Sequence, residues 1–203
     1  NFSQNCFCNT FNSLPKGKVI YNGVNELIND PKINEFVRLI ESKFESGYYT
    51  VAGRFSNRKR IYEIINEFHK YDLGNLVVLS DVPENLKKRS KKIIYLGMIN
   101  PEIARKIISN SIGLIHFDRY DWCPNIVIAA INDGVPVICS NFGGTPEIVG
   151  KNGLIIEEFP KNLPHSMEGI DFVKASPFPS KIFRDNISDI NWMKKFKRSD
   201  KFY

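Results

Sequence analysis

The chain has 203 residues, of which 42% are hydrophobic and 25% charged, with a formal net charge of +6. That composition supports one sizeable globular core, and no apolar run approaches the roughly 18 residues that a membrane-spanning helix needs. The positive balance fits either a lysine-rich solvated surface or a field that attracts an anionic ligand, and charge alone does not choose between them.

The opening residues 1–12 are polar and lack the apolar segment of a secretory leader. Residues 18–21 read as a short strand closed by the Asn22-Gly23 turn signal. Residues 33–44 carry Phe36, Leu39, Ile40 and Phe44 at helical spacing. A strand over 48–52 stops at Gly53, and a helix over 59–71 sets Ile61, Ile64, Ile65 and Phe68 on one face. Residues 76–79 are apolar throughout and read as a buried strand. Residues 83–90 predict a short, highly basic helix, and 93–96 a strand ending at Gly97. Asn100 as cap and Pro101 in the first turn open a helix that runs to about residue 110. Then come a strand at 112–117, a helix at 125–132, a strand at 135–139, a Gly-rich loop at 141–145, one helical turn at 146–149 and a last strand at 154–156.

Strands that alternate with helices predict an α/β fold, a Rossmann-like doubly wound parallel sheet. The alternation stops at Pro160. The prolines at 164, 177 and 179, followed by a basic aromatic stretch at 190–203, predict an irregular connection and a terminal helix. The expected division is residues 1–17 as the end of a preceding domain with its linker, 18–160 as the Rossmann-like domain, and 161–203 as the appendage. Cys6, Cys8, Cys123 and Cys139 contain no second metal-like pair, which suits a reducing cytoplasm better than a disulfide framework or a zinc site.

Ligands of such sheets lie beyond the carboxyl ends of the strands, so the loops there are the candidate sites. In the first, Gly53 permits a sharp turn while Arg54 and Lys59 offer two cations to a diphosphate, Arg as a fork and Lys as a point charge. The plain alternative is a basic surface turn. In the second, Gly143 and Gly144 free backbone N–H groups for an anion, Thr145 is placed to cap the following turn, and Pro146 fits its start. The third runs from His116 to Asn125. It sets the Asp121 carboxylate at a strand end, with Pro124 and Asn125 opening the next helix. Asp118 reads as a solvated rival carboxylate, and His116 as a hydrogen-bonded group at the core edge. Gly-x-Gly-x-x-Gly is absent, which argues against a nicotinamide cofactor, and no Ser-His-Asp order, P-loop or paired zinc set occurs. A nucleic-acid reading would need a basic stripe interleaved with aromatics, of which 190–203 offers only a little.

In order and spacing these loops resemble the C-terminal domain of glycosyltransferase family 4, a GT-B fold, over about residues 18–156. The resemblance rests on Lys18 to Val24, on Gly53-Arg54 with Lys59, on Tyr95 to Met98, on Asp121 to Asn125, on Gly134 to Ile138 and on Gly143 to Glu147. It implies a nucleotide-diphosphate sugar as donor substrate, retaining transfer, and no metal or other cofactor. It implies that Arg54, Lys59, Gly143, Gly144, Thr145, Asn125 and Cys123 hold the donor and its phosphates. Gly97 and Met98 would lie near the base, and Asp121 would be the catalytic-site carboxylate that orients the sugar. The acceptor, a glycan or a lipid-linked one, would be held by an N-terminal domain that is absent here, so the chain alone should bind donor weakly and transfer nothing. The implied location is the cytoplasm, at the membrane surface if the acceptor is lipid-linked.

Two positions depart from the family motif of two Glu separated by seven residues. Asp121 stands at the first and keeps a carboxylate. Ala129 stands at the second and cannot accept a hydrogen bond from ribose. Losing a hydrogen bond to a charged group weakens donor binding by roughly ten- to a hundredfold. A decayed or regulatory binding module is the alternative this departure raises.

Overall fold

The computed structural model describes residues 2–10, 20 and 22–189. In chain order it contains α1 (Phe2–Thr10), α2 (Pro31–Lys43), β1 (Tyr49–Ala52), α3 (Ile61–Lys70), β2 (Leu76–Leu79), β3 (Ile93–Tyr95), α4 (Pro101–Ser109), β4 (Gly113–His116), α5 (Asn125–Asn132), β5 (Val137–Ser140), α6 (Thr145–Val149), β6 (Gly153–Ile156), α7 (Met167–Ala175) and α8 (Ser180–Ser188). The strands form one six-stranded sheet in the order β3-β2-β1-β4-β5-β6. Every pairing is parallel.

Successive strand residues point to opposite faces, and both faces are covered. Tyr49, Val51, Leu76, Val78, Ile115 and Ile138 pack with the α3 face (Ile61, Ile64, Ile65, Phe68) and with Phe183 and Ile187 of α8. Ala52, Val77, Leu79, Leu114, Val137 and Cys139 pack against Val37 and Ile40 of α2, Ile107 and Ile108 of α4, and Val127 and Ala130 of α5. Strands buried on both faces carry continuous apolar runs, which is why 76–79 shows no alternation. Local chemistry sets the helix starts. The Asp30 carboxylate accepts from Lys32 and Ile33 N–H at the start of α2, and Asn100 accepts from Glu102 N–H at the start of α4.

Three expectations need correction. The basic helix over 83–90 is only a 3-10 turn at Glu84–Leu86. Five cations crowd residues 87–92, so like charges meet at helical spacing, and the Tyr95 hydroxyl instead accepts from Lys88 N–H. The helix expected from 59 begins at Ile61, because Arg60 takes a left-handed conformation with φ 53°. The stretch after Pro160 is not irregular throughout: α7 and α8 lie in it, each with its prolines before the helix. Ser166 caps α7 by accepting from Gly169 N–H, and Pro179 precedes α8. Proline is tolerated there because the first helical N–H groups have no partner in the helix anyway. Of the strand expected at 18–21, Ile20 is exposed and outside any strand, while residues 18, 19 and 21 lie outside the described residues, as does 190–203. The N-terminal residues include α1, whose Phe2 and Cys6 pack with Phe142, Phe159, Ile170 and Val173. Among the described residues, no helix is long and apolar enough to cross a membrane.

Candidate functional site

The strand order reverses direction between β1 and β4. Connections leaving these neighbours go to opposite sides of the sheet, which opens a crevice at their carboxyl ends. The loop after β1 carries Arg54 to Arg60, and the loop after β4 carries Phe117 to Pro124, so two of the three candidate loops meet there. Their backbones are tied: Arg119 N–H donates to Arg58 O at 2.9 Å, and Arg58 Nη1 donates to Tyr120 O at 2.7 Å.

Lys59 is the hub of the crevice. Its Nζ lies 2.8 Å from Asp118 Oδ2 and 3.2 Å from Asp121 Oδ2. Arg58 Nη1 reaches the same two oxygens at 3.0 and 3.6 Å. Asp118 is therefore not a solvated rival but a buried carboxylate, its side chain 1% exposed. Its place two residues beyond His116 puts both on one face of the extended chain, and that spacing was the signal that could have identified it. Asp118 receives its cations at angles outside hydrogen-bond geometry. Burial raises its carboxyl above the ordinary range, against the pull of Lys59, His116 and Arg58. For Asp121 burial also pushes upward, but His116 and Lys59 outweigh it and hold the carboxyl well below the usual range. Asp121 is thus ionised at any ordinary pH.

His116 is buried, as a core-edge group should be, yet its Nε2 has no hydrogen-bond partner; it stops 3.6 Å from Asp121 Oδ2 and 4.0 Å from Asp118 Oδ2. Burial lowers its pKa despite those carboxylates, so the ring is neutral near pH 7 and pulls on Asp118 and Asp121 by charge only once acid has protonated it. His116, Asp118 and Asp121 together offer one ligand atom each within 4.8 Å. Lys59 and Arg58 already bring positive charge to both carboxylates, which leaves little attraction for a metal cation.

The Gly-rich loop also reaches this cluster, through close backbone contact. A Cβ on Gly144 would sit 2.0 Å from Trp122 O, and one on Gly143 would sit 3.0 Å from Asp121 N. Gly144 N–H donates to Asp121 O at 2.6 Å. The glycines are there so that two backbones can touch, and the Gly144 N–H is spent on Asp121 rather than left for an anion. Thr145 does not cap α6: it is the first helical residue, and Gly144 precedes it with no side-chain cap bond.

The remaining candidates lie around this centre. Arg54 is exposed and, among the described residues, its side chain has no carboxylate or hydrogen-bond partner. Cys123 is a half-buried free thiol. Asn125, exposed at the start of α5, accepts from Asn22 Nδ2 at 2.6 Å. Ala129 is half-buried, one turn further along α5. Gly97 and Met98 follow β3, where Met98 N–H donates to Asp81 Oδ1 at 2.7 Å, and Gly97 has φ +70°. Asp81, Arg58 and Arg60 were not singled out in the sequence, because each owes its importance to a partner far along the chain.

The family described as glycosyl transferases group 1 matches residues 47–169. An uncharacterized glycosyltransferase of Methanocaldococcus jannaschii is 28% identical over 185 residues, covering 82% of this chain and 47% of the relative. Among solved structures, WaaG, a glycosyltransferase involved in lipopolysaccharide biosynthesis, superposes with a TM-score of 0.53 at 17% identity, covering 82% of this chain and 46% of that one. Anabaena HepE in complex with UDP-glucose gives a TM-score of 0.51 at 14% identity, covering 84% of this chain and 50% of that one. The chain thus spans about half the length of the relatives it matches. At these identities the structures speak for the fold: six parallel strands with helices on both faces, as in GT-B proteins.

Proposed function

The chain belongs to the group 1 glycosyl transferases, and we propose that it is the donor-binding unit of a retaining enzyme that takes a nucleotide-diphosphate sugar. The observation that carries this reading is the cluster at the β1–β4 switch point, where Lys59 pairs with Asp121 and the Gly143-Gly144 backbone packs against the Asp121-Trp122 backbone. In this proposal Arg54 is the main partner of the diphosphate, since its charge is not balanced by a neighbouring carboxylate. Lys59 is shared with two carboxylates, so it fixes Asp121 and adds a weaker pull on phosphate. Ionised Asp121 accepts hydrogen bonds from sugar hydroxyls. Preorganised positive groups stabilise the leaving diphosphate, and with Lys59 and Arg58 at the carboxylates the reaction needs no metal. Gly97 and Met98 border the base, and Cys123 and Asn125 the donor. The acceptor, a glycan or lipid-linked one, is held by a further domain, and the work is done in the cytoplasm, at a membrane surface when the acceptor is lipid-linked.

Saturation-transfer NMR with UDP-, ADP- and GDP-sugars tests the proposal. Contacts from base and sugar protons that disappear in Arg54→Ala support it. No contact with any of these donors at millimolar concentration sinks it.

Ala129 favours a second reading, a binding module without turnover. Ala129→Glu separates the two. Activity that rises from a measurable base marks a weakened enzyme, and zero activity in both folded forms marks a module.

A further inference from the structure

Arg60 is fully buried and is the one non-glycine residue with positive φ among the described residues. Such a conformation opposes an L side chain and persists only where the surroundings enforce it. Its guanidinium lies against the Phe117–Phe178 ring pair, 5.8 and 5.7 Å from the two centroids. Nη1 donates to Glu158 Oε1 at 2.6 Å, while Nε, Nη2 and Glu158 Oε2 have no hydrogen-bond partner. A buried ion pair with polar atoms left over is a poor device for stability alone, because apolar side chains of similar volume often serve as well.

The partners of Glu158 suggest another use. Glu158 N–H and Phe159 N–H both donate to Asn141 Oδ1, at 3.0 and 2.9 Å, and Asn141 Nδ2 donates to Phe159 O at 2.6 Å. Asn141 opens the loop that carries Gly143 and Gly144, and Arg60 directly follows Lys59. A chain of part-buried polar contacts, running through the Glu158–Phe159 backbone, therefore joins the loop after β1 to the loop after β5.

We propose that Arg60 and Glu158 are positioning residues, a buried clamp that sets the Lys59 loop and the Gly143-Gly144 loop in one fixed relation. The clamp deepens the donor-site reading and rests on it for its purpose. Its mechanical part is measurable without any ligand.

Hydrogen exchange read by mass spectrometry on the whole chain provides the test, with Arg60→Gly, Arg60→Lys and Glu158→Gln. Glycine accepts the left-handed backbone and removes only the side chain. In Arg60→Gly, amides of both 53–60 and 141–145 should exchange at least tenfold faster while the strand amides stay unchanged. Glu158→Gln should do the same, and the two changes combined should add little. Faster exchange confined to 53–60, or strictly additive effects, overturns the clamp. If Arg60→Gly fails to fold, Arg60→Lys and Glu158→Gln are read by the same criterion. Titration with inorganic pyrophosphate then links the clamp to the site: binding should weaken at least tenfold in the variants without a matching fall in Tm. Absence of pyrophosphate binding in the unmodified chain counts against the donor-site reading, while the exchange result still decides the clamp.

Discussion

Lys59 Nζ lies 2.8 Å from Asp118 Oδ2, with side chains 15% and 1% exposed, so the ammonium stands between solvent and a buried carboxylate. Burial already holds Asp118 above its ordinary range, and Lys59→Met removes the strongest counterweight. The folded pKa then rises further. A carboxyl with a raised folded pKa loses stability as pH climbs through that value. We expect Lys59→Met to cost about 2 kcal/mol at pH 7 and clearly less at pH 5. Urea unfolding midpoints at the two pH values check this, and an equal loss at both would contradict it.

His116 has the opposite sign. Burial depresses its pKa, so on acidification the unfolded chain takes up its proton first, near pH 6.5. The stability it contributes is complete above that pH and is lost as pH falls toward the folded value. For one proton the slope is at most about 1.4 kcal/mol per pH unit. His116→Gln should flatten the wild-type decline between pH 6.5 and 5, as measured by urea midpoints across that range.

Gly144 and Gly134 form a controlled pair. A Cβ at Gly144 meets Trp122 O at 2.0 Å, whereas one at Gly134 (φ +75°) meets nothing within 4 Å. Gly134→Ala should cost about 1–2 kcal/mol of backbone strain. Gly144→Ala should cost about 3 kcal/mol, because the two loops must part, and should also move Trp122. Thermal unfolding with tryptophan fluorescence distinguishes the outcomes.

Thiol chemistry reports the packing directly. Cys8 and Cys123 are half-buried, whereas Cys6 and Cys139 are buried, and burial raises the thiol pKa of both buried ones. The thiolate is the reactive form, so two cysteines should react with a disulfide reagent in the native protein and all four after unfolding. Rapid native labelling of Cys139 would contradict the β5 placement.

Arg54→Ala separates binding from folding. The side chain is exposed and has no partner among the described residues, so stability should change by less than about 0.5 kcal/mol. Donor contacts in saturation-transfer NMR should nevertheless vanish. A variant that keeps them would shift the phosphate role to Lys59 and Arg58.

Much of the fold was legible because its signals are local. The apolar run at 76–79, the face Ile61-Ile64-Ile65-Phe68, and the Asn100-Pro101 start each depend on neighbours within two turns, and β2, α3 and α4 follow them closely. The prolines after 160 were legible as breaks but not as helix starts, since the cap at Ser166 works only once α7 has a core face to bury. The site was legible as three loops and not as a network. Asp121 and Lys59 could be named from the motif they resemble, but not joined.

The sequence by itself determined the alternation of strands and helices, and which loops reach the carboxyl edge, because side-chain period and turn chemistry act over a few residues. The tertiary structure decided that Lys59 pairs with Asp121 across 62 residues and Arg60 with Glu158 across 98. It also decided that Asp118 is buried and that Gly144 is a packing glycine. Charge pairing and close backbone contact depend on distance in space, and only the order of strands brings those residues together.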